Sequence, residues 1–262
     1  MPNLRTRPPR LQPREIAEAV IQASELPDGT DERFAGYAIM GLPFASGHYL
    51  AFRHFPTTSI GEGYLTVWHR TPDRTWTIYA DSPPHLSCAR YLATGPVRTE
   101  TTSIAVTWTG SHAMRVTAGD WLSWDLDLGS SPATRLMNQV GRLLPDAAWR
   151  NNTALTAIGY LAGPLLGVGR MRLHGNVPSG QRFQISPQVL WTVTASRAVI
   201  HGHDAGAPHP LPGQDRFGDL WLPQRGLFVA TTARFESHDL SNHAPLPSFP
   251  AGPTAPTAAK EQ

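Results

Sequence analysis

Along residues 121–128, Trp-Leu-Ser-Trp-Asp-Leu-Asp-Leu, apolar and polar positions alternate almost one by one. Leu122, Trp124, Leu126 and Leu128 fall on one face of an extended chain, and Ser123, Asp125 and Asp127 on the other. That period of two is what a half-buried strand requires. Similar segments occur at close spacing before it, over 36–41, 48–55, 64–70, 74–80, 103–109 and 112–117. Pro72-Asp73-Arg74 and Ala118-Gly119-Asp120 supply turns between them. The pattern returns after Gly169, over 170–175, 181–186, 189–195, 197–202, 219–222 and 226–235, with Pro178-Ser179-Gly180 as a further turn.

Two stretches change period. Arg14 to Leu26 carries Ile16, Ala17, Val20, Ile21 and Ala23 as an apolar stripe behind Pro13, and Pro27-Asp28-Gly29 closes it. Ser131-Pro132 offers an N-cap and a first-turn proline for a helix through Leu136, Met137, Val140, Leu143 and Leu144. A second helix is expected over 153–167 through Leu155, Ile158, Leu161 and Leu165. Gly159, Gly163 and Pro164 make it a poor helix in isolation, so it should form only if something packs on it.

These periods predict a mainly β fold: an antiparallel barrel, or two barrel or sandwich units, with an inserted helical pair. The expected organisation is a flexible arm at 1–13, a helix and first β unit at 14–130, a helical insertion at 131–168, a second β unit at 169–241 and a disordered tail at 242–262.

Composition narrows the chemistry. The chain has 262 residues, enough for a sizeable core, and a formal net charge of only +2, too small to point to nucleic acid. One of its 22 basic residues is a lysine, Lys260 in the Pro/Ala-rich tail, which nearly excludes lysine-based covalent catalysis. The single cysteine, Cys88, excludes an internal disulfide and a multi-thiolate zinc site, and fits a reducing, cytoplasmic setting. No apolar h-region follows the basic N-terminus, and no apolar run is long enough to span a membrane. A peripheral membrane contact stays open through the helical block, as does the oligomeric state. No Gly-rich phosphate loop stands between a strand and a helix, so no nucleotide cofactor is expected.

The order of the strands, the second strand block and the Trp-x-x-Trp-Asp-Leu-x-Leu segment at 121–128 resemble lipocalin-like two-barrel proteins, in particular hydroxyneurosporene synthase, the carotenoid 1,2-hydratase. The resemblance covers roughly residues 35–128 and 170–236, and the helical block departs from it. It implies a hydrophobic ligand such as an isoprenoid and, in an enzyme, water addition to an alkene. No catalytic residue is carried over from it.

Four constellations are candidates for chemistry. Asp81, His85, Cys88 and Arg90 lie in a Pro-rich loop after a strand. There Asp81 or His85 would act as acid or base, with Glu62 assisting, and Arg90 would hold an anion. His48, His54 and His69 with Glu62 would suit a metal if register brought them together, against the simpler reading of separate imidazoles; no metal is assigned. His201-Gly-His203-Asp204 places two imidazoles on one face of a strand. Asp219 and Arg225 flank an aromatic strand, as a structural pair or with Arg225 on a ligand's anionic end. Trp68, His69, Trp124, Trp191 and Trp221 are the remaining candidates for a ligand cavity. The leading expectation is binding of an isoprenoid-like or polyketide-like molecule in a β-walled cavity. A cofactor-independent hydratase, isomerase or cyclase and a non-catalytic interaction protein are the alternatives.

Overall fold

The computed structural model describes residues 12–92 and 97–238; most of the N-terminal arm and the C-terminal tail lie outside them. In chain order the elements are α1 (Pro13–Ala23), β1 (Glu32–Pro43), β2 (Tyr49–Thr58), β3 (Glu62–Arg70), β4 (Trp76–Ala80), α2 (Ala89–Leu92), β5 (Arg98–Thr101), β6 (Ile104–Trp108), β7 (Ala113–Ala118) and β8 (Leu122–Gly129). There follow α3 (Pro132–Leu143), α4 (Asn152–Leu166), β9 (His174–Asn176), β10 (Arg182–Ile200), β11 (His203–Asp204), β12 (Arg216–Phe217), β13 (Leu220–Trp221) and β14 (Leu227–Phe235).

The two strand blocks build one sheet. Its order is β5-β4-β3-β2-β1-β14-β10-β8-β7-β6, so β14 and β10 from the second block sit between β1 and β8 of the first. The pairs are antiparallel except β4–β5. The sheet is strongly curled into a half-barrel. Its inner face carries Phe52, Val67, Val116, Trp124, Trp191 and Phe228 from successive strands in one packed cluster, and α1 adds Ile16, Ala17 and Val20. Leu65 of β3 and Ile104 of β6, from opposite sides of the sheet, pack against that same cluster.

The alternation at 121–128 places its residues as expected: Leu122, Trp124, Leu126 and Leu128 are buried inside the curl, whereas Asp125 points out to pair with Arg115 at 2.7 Å. The second block differs from expectation. The three strands anticipated between 181 and 202 are one 19-residue strand, β10. It pairs with β14 through its first half and with β8 through its second, with bulges at Pro187–Val189 and Val193–Ala195. Each bulge shifts the phase of alternation. Phe183 and Ile185 point outward, Trp191 and Val193 inward, and after the second bulge Ala198 and Ile200 inward. A bulge keeps the chain extended while exchanging its faces, so the breaks in pattern are not turns. The strand expected at 170–175 is reduced to β9, and that at 219–222 to β13 in a two-stranded ribbon with β12.

The helical block packs on the outer face. Ser131 accepts the Thr134 N–H at 3.1 Å and caps α3; Asn151 accepts the Ala154 N–H at 3.0 Å and caps α4. The glycines of α4 have a packing reason. A Cβ on Gly159 would stand 2.7 Å from the Met171 carbonyl oxygen, and one on Gly163 2.3 Å from that of Gly169. The segment after the helix therefore lies directly against its backbone. The Asn138 side-chain amide donates to Leu190 O and its carbonyl accepts from Leu190 N, both at 2.9 Å. It thereby supplies strand-like partners to β10 just after its first bulge. Leu143, Tyr160 and Leu161 face solvent.

Candidate functional site

Strand β2 runs Tyr49-Leu-Ala-Phe-Arg53-His-Phe55. Its even residues enter the inner core and its odd residues the outer face. Arg53 therefore points outward among Tyr49, Ala51 and Phe55. The segment around α2 and the ribbon β12–β13 cover this part of the sheet, so the guanidinium is buried. It donates from Nη1 to the carbonyls of Ile39 (2.6 Å) and Phe52 (2.9 Å), and from Nη2 to that of Met40 (3.2 Å). Its centre lies 4.3 Å from the Trp68 ring, a cation–π contact. Burial pulls its pKa below the ordinary arginine value, and the polar groups that act on it are Cys88, Tyr49 and Tyr64. Burial pushes all three of those the other way, so each is neutral near pH 7. The ion pairs found among the described residues do not include Arg53.

Arg53 lines a cavity of about 50 Å³ together with Tyr64, Trp68, Cys88, Tyr91 and Phe34. The Trp68 indole N–H donates to Cys88 Sγ at 3.2 Å. The Tyr64 hydroxyl is buried beside Cys88, which acts on it through charge and a weak hydrogen bond to sulfur, and it has no other hydrogen-bond partner among the described residues. At one end Glu32 ties down α2, through Arg90 at 2.9 Å and the Tyr91 hydroxyl. A second cavity, of about 60 Å³, lies between the sheet and the α3–α4 block, walled by Met137, Leu166, Leu190, Trp221 and Leu227. Met40, Ile185 and Leu220 line both, so the two adjoin.

The residues singled out from the sequence separate. Trp68 is in the Arg53 cavity and Trp221 in the adjoining one, where Arg170 and Arg216 flank its ring at 5.0 and 5.2 Å. Trp124 and Trp191 are in the inner core, and the Trp124 indole donates to Ser196 Oγ at 2.8 Å. Arg90 is occupied by Glu32. Asp81 accepts the Leu65 N–H at 2.8 Å, and partial desolvation raises its pKa above the ordinary value although the residue remains exposed. Asp81, His85 and Glu62 are exposed, and no hydrogen bond among the described residues joins them. Arg225 is exposed and does not pair with Asp219, which bonds Arg172 at 2.8 Å instead: the ribbon turn carries the two apart. His201 and His203 are not neighbours on one strand face, because His201, at φ 49°, and Gly202 form a turn.

Of the expected histidine group, His48 and His69 do meet, while His54 bonds the Tyr37 hydroxyl at 3.0 Å inside the curl. Among the described residues no group of three or more His, Cys, Asp or Glu is arranged to hold a metal, and no helix is long and apolar enough to cross a membrane. Arg53 and Tyr64 were the residues missed. The available signal was a charged residue on the odd, otherwise apolar face of 49–55.

No protein-family model and no curated protein matches the chain. Solved structures similar to it include acetoacetate decarboxylase from Legionella pneumophila subsp. pneumophila str. Philadelphia 1, with a TM-score of 0.38 and 10% identity over 82% of this chain and 89% of that one. A second acetoacetate decarboxylase structure has a TM-score of 0.39 and 11% identity over 84% and 94%. These comparisons lend no support to the resemblance to hydroxyneurosporene synthase.

Proposed function

We propose that this protein binds a small hydrophobic molecule on the outer face of its sheet, beneath the α3–α4 block. The observation that carries the reading is the apolar cavity of about 60 Å³ walled by Met40, Met137, Leu166, Leu190 and Leu227. Ligand sites are concave and mostly apolar, with few polar groups. The inner face, where a lipocalin-like ligand would sit, is instead occupied by the chain's own aromatic side chains and α1. A cavity of this size takes a short branched chain as it stands; a ring needs the methionine-lined walls to give, and a long isoprenoid requires the helices to move. In the hydratase alternative the acid–base groups would be Asp81, His85 and Glu62, all of them exposed.

Methionine methyl NMR tests the reading. Met40, Met137 and Met171 line the cavity, whereas Met114 is in the inner core. Titration with toluene is expected to shift the first three methyl resonances saturably and leave Met114 in place. A response from Met114 alone, or from none of the four, overturns it.

A further inference from the structure

Arg53 is a buried cation with no carboxylate against it among the described residues. Buried charges are normally paired, because an uncompensated charge away from water is costly. Three backbone carbonyls and the Trp68 ring solvate the guanidinium but leave its unit charge in place. Those carbonyls also leave two of its five N–H groups without a protein acceptor among the described residues. Tyr64, lining the same cavity, has a hydroxyl whose neighbour among the described residues is no stronger an acceptor than the Cys88 thiol. The cavity thus presents two kinds of donor, one net positive charge and, among the described residues, no anionic acceptor to match them.

We infer that the Arg53–Tyr64 cavity is a carboxylate subsite, and that the ligand is a small apolar monocarboxylate whose body extends past Met40 and Leu220 into the adjoining cavity. This deepens the apolar-ligand reading by naming the charged end. A cavity needs on the order of 10–15 Å³ to admit one water, so about 50 Å³ accepts a carboxylate but not a nucleotide. One guanidinium balances one negative charge, which favours a carboxylate over a phosphate dianion. The two carboxylate oxygens match the two donors, Arg53 and Tyr64. The apolar walls, Phe34, Phe55 and Leu92, exclude a hydrated inorganic ion.

Cys88 is the only cysteine and lines this cavity, so its rate of reaction with a thiol reagent reports here alone. Sodium benzoate is expected to slow that reaction saturably, and benzamide, the same shape without the charge, to bind at least about tenfold more weakly. Tyr64→Phe should weaken benzoate by about tenfold, as loss of a hydrogen bond to a charged group does. Arg53→Met should abolish the preference for benzoate over benzamide; if that variant does not fold, Tyr64→Phe still tests the site. Equal protection by benzoate and benzamide overturns the carboxylate assignment, and leaves the apolar cavity standing if toluene moves the methionine methyls. Protection by benzoate without any toluene response supports the carboxylate subsite and removes the apolar-ligand reading. Failure of benzoate to protect Cys88 overturns the inference.

Discussion

His48 Nδ1 lies 2.9 Å from His69 Nε2, with the two imidazoles stacked at 5.1 Å, on the inner side where the turn between β1 and β2 meets β3. His69 continues the stack onto Trp121 at 5.3 Å. One ring must donate and the other accept, so the contact requires at least one of the two imidazoles to be neutral. Burial, the largest influence, lowers the pKa of both, His69 to about 4. His54, against Tyr37, is also lowered to about 4 by burial.

These depressed values predict an acid-sensitive fold. Above pH 6.5, His54 and His69 are neutral in both folded and unfolded chains and add no pH dependence. Between 6.5 and about 4 the unfolded chain takes up protons that the folded chain refuses, so stability falls as pH falls, and the loss levels off below about 4. At pH 4.5 each residue should cost roughly 2 kcal/mol relative to pH 7. Denaturant unfolding at both pH values should show a smaller difference for His69→Gln than for the native chain. An unchanged difference would remove His69 from this account.

Gly163→Ala is expected to destabilise the protein. Helix propensity alone favours alanine by about 1 kcal/mol. Here the added Cβ would meet the Gly169 carbonyl oxygen at 2.3 Å, a contact that requires the backbone to move. A lower thermal midpoint for Gly163→Ala, and for Gly159→Ala, checks the direction.

Glu32→Gln should cost about 3 kcal/mol, because it leaves Arg90, only 12% exposed, without its anion. Arg90 and the Tyr91 hydroxyl, which use the two carboxylate oxygens, would compete for the single amide oxygen of Gln. As α2 forms part of the cover over the Arg53 cavity, the variant should also speed Cys88 modification at a denaturant concentration far below unfolding. A destabilised variant with unchanged Cys88 reactivity would show that Glu32 does not hold the cover.

Trp124→Ala should lose about 3–5 kcal/mol, since the side chain is fully buried in the inner cluster. Trp124→Phe should lose less, because Ser196 Oγ keeps its bond to Asp125 O at 3.0 Å. Calorimetry on the two variants distinguishes a packed inner face from one that holds a ligand: added hydrophobic molecules should not rescue Trp124→Phe.

Much of this architecture was legible in the chain because alternation and capping are local. Leu122 to Leu128 states its buried face in its own spacing, and Ser131-Pro132 marks the start of α3 where the structure has it. Non-local facts were not legible. The long strand β10 reads as three because its bulges exchange faces, and its neighbours come from residues as distant as Leu122 and Phe235. The site followed the same division. A charged residue in an apolar half-strand was visible at Arg53, but not the absence of a carboxylate facing it. That depends on which side chains α2, β3 and the β12–β13 ribbon bring over β2. The alternating pattern thus determined the strands and their buried faces. Only tertiary packing decided that the curl's inner face is filled, that Arg90 is taken by Glu32, and that Arg53 stands beside a cavity with no counter-charge among the described residues, since burial and pairing are properties of what the rest of the chain places nearby.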